Sequence, residues 1–181
     1  MKKLLALFAV LFLAGTVFAI EIPTNCRVSN QDPGYCCWAS LETLGRTHGI
    51  TELYDLVEAR KKDPDGLLAY GSGRNVRYVV QPKNYGYDHA LRAKLTDLKV
   101  KFWMEGSGNT DRTLLKYADS HGCLVGVNPG ARGKGAHAIV LTHYDDKIVR
   151  FYDCNNPKDM WEGSRQWFDF WWSGLVIVVE K

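Results

Sequence analysis

Apolar residues recur along this chain at two periods, helical in the first half and alternating in the second. From Cys37 to His48 the positions Cys37, Leu41, Leu44 and His48 share one helix face, and Gly49 follows where a left-handed cap is needed. Thr51 is placed to cap a second helix that turns Leu53, Leu56 and Val57 inward and ends before Asp63-Pro64-Asp65-Gly66. Residues 20–35 read as irregular, 64–90 as loops rich in Gly, Asn, Tyr and Arg, and 88–95 as a short helix. The pattern then changes. Lys99 to Met104 alternates like a half-buried strand. Asp111 to Ser120 carries Leu114, Leu115 and Ala118 at helical spacing, and Cys123 to Val127 is a short apolar strand. A glycine-rich loop over 128–136 leads into a strand from His137 to Tyr144, a turn at Asp145-Asp146 and a partner strand from Ile148 to Asp153. An aromatic helical segment over 163–172 and a buried strand from Leu175 to Val179 close the chain. Helices first and antiparallel strands afterwards predict an α+β fold.

The start of the chain follows a different logic. Lys2 and Lys3 precede an apolar run from Leu4 to Gly15, and Val17 and Ala19 sit where a small-residue cleavage site needs them. That is the three-part pattern of a secretory signal peptide over 1–19, so the expectation is a secreted or periplasmic protein, with an uncleaved anchor as the alternative. Residues 20–181 then form one domain, about 160 residues, long enough to bury a core unaided. No other run is long and apolar enough to span a bilayer, so no membrane is expected in the mature form. The basic residues are scattered, which gives no case for nucleic acid. Five cysteines (Cys26, Cys36, Cys37, Cys123 and Cys154) would meet an oxidising compartment. If one thiol is kept as a nucleophile, four remain and two disulfides become possible; five buried, reduced thiols is the alternative.

Candidate chemistry concentrates at Gln31 to Ser40, Gln-Asp-Pro-Gly-Tyr-Cys-Cys-Trp-Ala-Ser. A cysteine opening a helix sits at the positive end of the macrodipole, which favours the reactive thiolate. Its backbone N–H can donate to an oxyanion, and the Gln31 amide, six residues before Cys37, can loop back as a second donor. Trp38 would shield the site from water. A base is still required, and His137 opens an apolar strand directly after the glycine loop. Residues opposite each other in an antiparallel hairpin share a face. A Tyr144-Asp145-Asp146 loop puts Asp153 opposite His137, and an Asp145-Asp146-Lys147 loop puts Asn155 there. A two-residue loop would put Cys154 there instead. His143, at about 3.3 Å per residue, lies roughly 20 Å from His137 and reads as hairpin-end surface.

With Gln31, Cys37-Trp38-Ala39, His137-Ala138-Ile139-Val140 and Asp153, the sequence resembles the papain-like cysteine peptidases. The run Asp153-Cys154-Asn155-Asn156-Pro157 is similar to the compact bacterial C39-like branch. The resemblance covers some forty residues in two regions. It implies a papain-like fold, a peptide or protein substrate and no cofactor, with Gln31 and Cys37 as oxyanion donor and nucleophile and with His137 oriented by Asp153. Two departures stand out. Cys36 is the immediate neighbour of Cys37, so which of the two attacks stays open, although the Gln31 spacing and Trp38 favour Cys37. The Asn-Ser-Trp-Gly tetrapeptide of papain is absent. A catalytically inactive binding module and a transglutaminase-like acyltransferase are the competing classes.

Other readings fail on spacing. Neither Cys-x-x-Cys nor His-Glu-x-x-His occurs, so no zinc motif is present. The loop from Asn128 to Gly135 lacks the glycine offset and the Ser or Thr of a phosphate loop. Trp161, Trp167, Trp171 and Trp172 read as core and edge packing, and exposure of several would raise the question of a carbohydrate surface.

Overall fold

A computed structural model describes residues 19–30, 34–62, 92, 94–105, 111–127 and 137–181. Six antiparallel strands form one sheet: β1 (Lys101–Glu105), β2 (Cys123–Val127), β3 (His137–Tyr144), β4 (Ile148–Tyr152), β5 (Met160–Ser164) and β6 (Trp172–Glu180). Their order is β1-β6-β2-β3-β4-β5. Among the described residues, helices α1 (Cys36–His48), α2 (Leu56–Lys62), α3 (Asp111–His121) and α4 (Arg165–Trp171) accompany them, and residues 94–97 are helical as well. The predicted α+β class is the observed one.

Alternation divides the core. On β2 and β3, Leu124, Ala138 and Val140 pack with α1 and α2, while Val125, Val127, Ile139 and Leu141 pack with Leu114 and Ala118 of α3 and Phe168 of α4. The central strands are therefore covered on both faces and read as nearly continuous apolar runs. From Cys36 to Gly45 every residue of α1 is buried. Such a helix must manage its polar residues internally. Glu42 does so: its Oε1 accepts from Arg46 at 3.0 and 2.7 Å, and its Oε2 accepts the Val57 N–H at 3.0 Å.

That last bond explains a departure from the sequence reading. Thr51 caps no helix through its side chain; it opens a 3-10 turn over Thr51–Leu53. Asp55 then adopts a left-handed φ of 57°, and α2 starts at Leu56 with its first turn held by Glu42. The turn can lie this close only because residue 45 is glycine: a Cβ there would come within 2.4 Å of the Leu53 Cβ. Gly49, at φ 66°, closes α1 as its sequence predicts.

Strand β5 is new relative to the sequence reading. It pairs with β4 from Ile148↔Ser164 to Tyr152↔Met160, and none of its residues is buried, so no alternation marked it. Ser164 then caps α4, its Oγ accepting the Trp167 N–H at 3.1 Å. Trp161 and Trp167 are partly exposed on this edge, and Trp167 stacks on Phe151. The two disulfides the cysteine count allows are not formed, and all five residues stay thiols. Cys123 lies in the core on the α3 side, whereas Cys36, Cys37 and Cys154 lie on the α1 side and Cys26 is half-buried; no bond joins any of the five. Among the described residues no helix is long and apolar enough to cross a membrane. Residues 1–18, with the expected signal segment, and the loop 128–136 lie outside the described residues.

Before α1 the chain forms a strap over residues 22–30. The Val28 N–H donates to Thr43 Oγ1 of α1 at 3.1 Å, and the Val28 carbonyl accepts from Tyr152 Oη of β4 at 2.7 Å. Arg27 bonds the Lys158 carbonyl, and the Asn30 N–H bonds the Cys154 carbonyl at 2.7 Å.

Candidate active site

The start of α1 lies over the start of β3, where Ser40 Oγ donates to the Ala138 carbonyl at 3.3 Å. The first intrahelical bond is from the Ala39 N–H to the Tyr35 carbonyl, so the N–H groups of the opening turn precede the helical ladder. Tyr35 supplies no side-chain cap. A positive helix end therefore meets the first residue of a strand, and that residue is His137.

Asp153 stands on the other side of the ring, with Oδ1 at 2.7 Å from His137 Nε2. Both side chains are mostly covered. The Asn155 N–H donates to the same carboxylate oxygen at 2.9 Å, and Asn155 Nδ2 lies 3.4 Å from His137 Nε2. Near the strand end the register runs Leu141↔Phe151 and Val140↔Tyr152, which continues to Asn155 opposite His137. Pairing stops at Tyr152, however, and the chain turns, with the Asn156 N–H on the Asp153 carbonyl at 2.9 Å. The turn brings Asp153 to the ring. Both acceptors weighed from the sequence stand beside His137, and the short contact belongs to Asp153.

With Nε2 engaged by the carboxylate, Nδ1 is the ring nitrogen left for a thiol. The Cys36 thiol interacts with the His137 ring and with the Cys37 side chain. The Cys37 hydrogen bond, together with the bond and charge of His137 and the Ala138 backbone, outweighs burial and draws the Cys36 thiol down to about 4. Burial alone would lower His137, but its bonds to Asp153 and Cys36 and their charges raise it to about 9. Burial would raise Asp153, and the His137 and Asn155 hydrogen bonds hold it below the ordinary carboxylate range. Both shifts run in the direction that favours a thiolate beside an imidazolium, with the Asp153 carboxylate on the ring's other nitrogen.

Cys37 is buried beside Cys36 in the first turn. Gln31 lies outside the described residues. Cys154, next to Asp153, is fully buried; its Sγ lies 3.8 Å from the Cys36 carbonyl. Burial first, then the negative charges of Cys36 and Asp153, push its thiol far up. One Cys154, one Asp153 and one His137 donor atom all fall within 4.8 Å of one another. His143 is elsewhere: its Nδ1 meets Asp119 of α3 at 2.8 Å and its Nε2 meets Asp145 at 3.0 Å. It is a half-buried clamp between α3 and the hairpin turn, not a bare surface residue.

Sequence reasoning missed Asn30, whose Nδ2 donates to Asn155 Oδ1 at 2.7 Å. An asparagine in an irregular stretch carried no signal for that role.

No family model matches this sequence, and no curated protein matches it. Solved structures do. A double-glycine motif protease from an AMS/PCAT transporter, in complex with its leader peptide, aligns at 15% identity and TM-score 0.56 over 91% of this chain and 94% of that one. The peptidase domain of Streptococcus ComA, a bi-functional ABC transporter of a quorum-sensing pathway, aligns at 18% identity and TM-score 0.55 over 84% of this chain and 95% of that one. At such identities the likeness is one of architecture, and this chain is built on the fold of the papain-like, C39-type peptidase domains.

Proposed function

We propose that this protein is a cysteine peptidase acting on peptide substrates outside the cytoplasm. The observation that carries the reading is the line from Cys36 through His137 to Asp153 at the opening of α1. A thiolate attacks the scissile carbonyl and forms the C–S bond, and the carbonyl oxygen takes the negative charge. First-turn N–H groups and the Gln31 amide receive that oxyanion. The tetrahedral intermediate collapses, His137 protonates the departing amine, and the C–N bond breaks. Water, deprotonated by His137, then releases the acyl group and restores the thiol. Asp153 keeps the ring oriented throughout.

A second reading gives the attack to Cys37. Its favouring observations are the six-residue step from Gln31 and the Trp38 that follows it. Export rests on the signal-like segment 1–19, and the peptide substrate on the architecture shared with leader-peptide-cleaving domains.

The test is alkylation of the reduced protein with iodoacetamide at pH 6. An ordinary thiol, with a pKa near 8.5, is about 0.3% thiolate there, whereas one at about 4 is almost wholly ionised. Selective labelling within Cys36-Cys37, abolished by His137→Ala, is the expected outcome. Comparing Cys36→Ser with Cys37→Ser identifies the attacking sulfur. Labelling no faster than at Cys26 in the same protein ends the proposal.

A further inference from the structure

Cys154 has no task in the proposed reaction, yet it sits at the floor of the site next to the residue that orients the base. We propose that His137, Asp153 and Cys154 form a binding site for a thiophilic divalent cation of the zinc class, and that occupation shuts the thiol–imidazole pair down.

The donor set is the first argument. An imidazole nitrogen, a carboxylate oxygen and a thiol sulfur are the three side-chain types zinc takes, and here they converge from β3 and from the turn after β4. Distance is the second. The donor atoms lie within 4.8 Å of one another, and the His137–Asp153 edge is 2.7 Å. Zinc bond lengths of about 2.0–2.3 Å require tetrahedral edges of roughly 3.3–3.6 Å. Occupation therefore requires the His137–Asp153 edge to open. Access is the third. The His137 and Asp153 side chains are 14% and 26% exposed, so two of the three donor residues reach solvent, while Cys154 is fully buried. An independent sign is Asn30. It is tied to the Cys154 carbonyl and to Asn155, and its Oδ1 is a buried acceptor with no hydrogen-bond donor among the described residues. A water on the fourth coordination position is the kind of donor such an acceptor takes.

The hairpin turn assembles this set, which is why no metal motif appears in the sequence. Binding releases the Cys154 thiol proton and the His137 Nε2 proton to solvent. His137 then keeps only Nδ1–H towards the thiolate and can no longer shuttle a proton, and Asp153 no longer orients it. The inhibitory consequence rests on the peptidase reading; the binding does not.

The experiment titrates the full, reduced chain with Zn2+ against a chromophoric chelator, without substrate. One zinc per chain is expected, with affinity falling at least about tenfold in Cys154→Ser. With chelator present, iodoacetamide labelling at pH 6 should be the same in Cys154→Ser and wild type. X-ray absorption on the zinc-loaded wild-type protein, which needs no variant, should show one sulfur at about 2.3 Å with lighter N and O donors. No binding at 1 mM Zn2+ overturns the proposal. So does a zinc with two sulfurs or none, or an affinity unchanged in Cys154→Ser and lost in Cys36→Ser or Cys37→Ser. A chain that binds zinc through one sulfur but shows no selective labelling keeps the metal site and loses the peptidase.

Discussion

Asp153→Asn separates charge from shape at the centre of the site. The amide keeps an oxygen where Oδ1 accepts from His137 Nε2 at 2.7 Å, but removes the negative charge. His137 stands at about 9 against an ordinary 6.5, despite burial that works the other way. That elevation corresponds to about 3 kcal/mol in favour of the imidazolium, shared between Asp153 and Cys36. An opposite charge at such a distance moves a pKa by about 1–3. The ring in Asp153→Asn should therefore titrate between about 6 and about 8, held up only by the Cys36 thiolate. NMR of the protein carrying 13C-labelled histidine reads this directly. The chain has five histidines, and the His137 signal is the one missing in His137→Gln. The sign is fixed in advance: the imidazolium form should be lost at lower pH in the variant, and the upper pH limit of peptidase activity should fall with it. A His137 midpoint that stays within about 0.3 of wild type would refute the claim that Asp153 charge sustains the ion pair.

Three further outcomes follow from the packing and the site. Gly45→Ala should destabilise the protein by about 1–3 kcal/mol, because its Cβ would collide with Leu53; a thermal midpoint equal to wild type contradicts the close approach. Glu42→Ala leaves the Val57 N–H without its acceptor inside the fold and should cost about 2 kcal/mol in urea unfolding, which a loss below 0.5 kcal/mol would disprove. His143→Ala breaks the Asp119 and Asp145 contacts and should lower the unfolding midpoint, yet labelling of Cys36-Cys37 at pH 6 should remain at wild-type rate; a lost labelling rate would tie His143 to the site.

Much of this arrangement was legible because it is local. Period and turn chemistry give α1, α3, β2 and β3 with nearly the observed limits, since each element has a buried face that repeats. Strand β5 has no buried face and left no trace. The His137–Asp153 pairing was legible as two alternatives only. The hairpin register shifts between Leu141 and His143, so the residue facing His137 along the ladder is Asn155, and Asp153 arrives by a turn that alternation does not encode. Cys36 against Cys37 was undecidable for a geometric reason: neighbours at a helix start differ by about a quarter turn, and which one meets the imidazole depends on where the first turn begins. The structure begins it at Cys36 and gives that thiol the His137 contact, while the Gln31 spacing still points to its neighbour.

The strap over residues 22–30 ties together parts of the site that are far apart in sequence. Val28 alone joins α1, through Thr43, to β4, through Tyr152, and Asn30 fastens the turn that carries Asp153 and Cys154. It works as a truss: the helix that offers the thiol and the hairpin that offers the base, already packed on each other, are braced by a segment containing neither. Losing the two Val28 bonds, to Thr43 on one side and Tyr152 on the other, would leave every reactive residue in place and remove this brace.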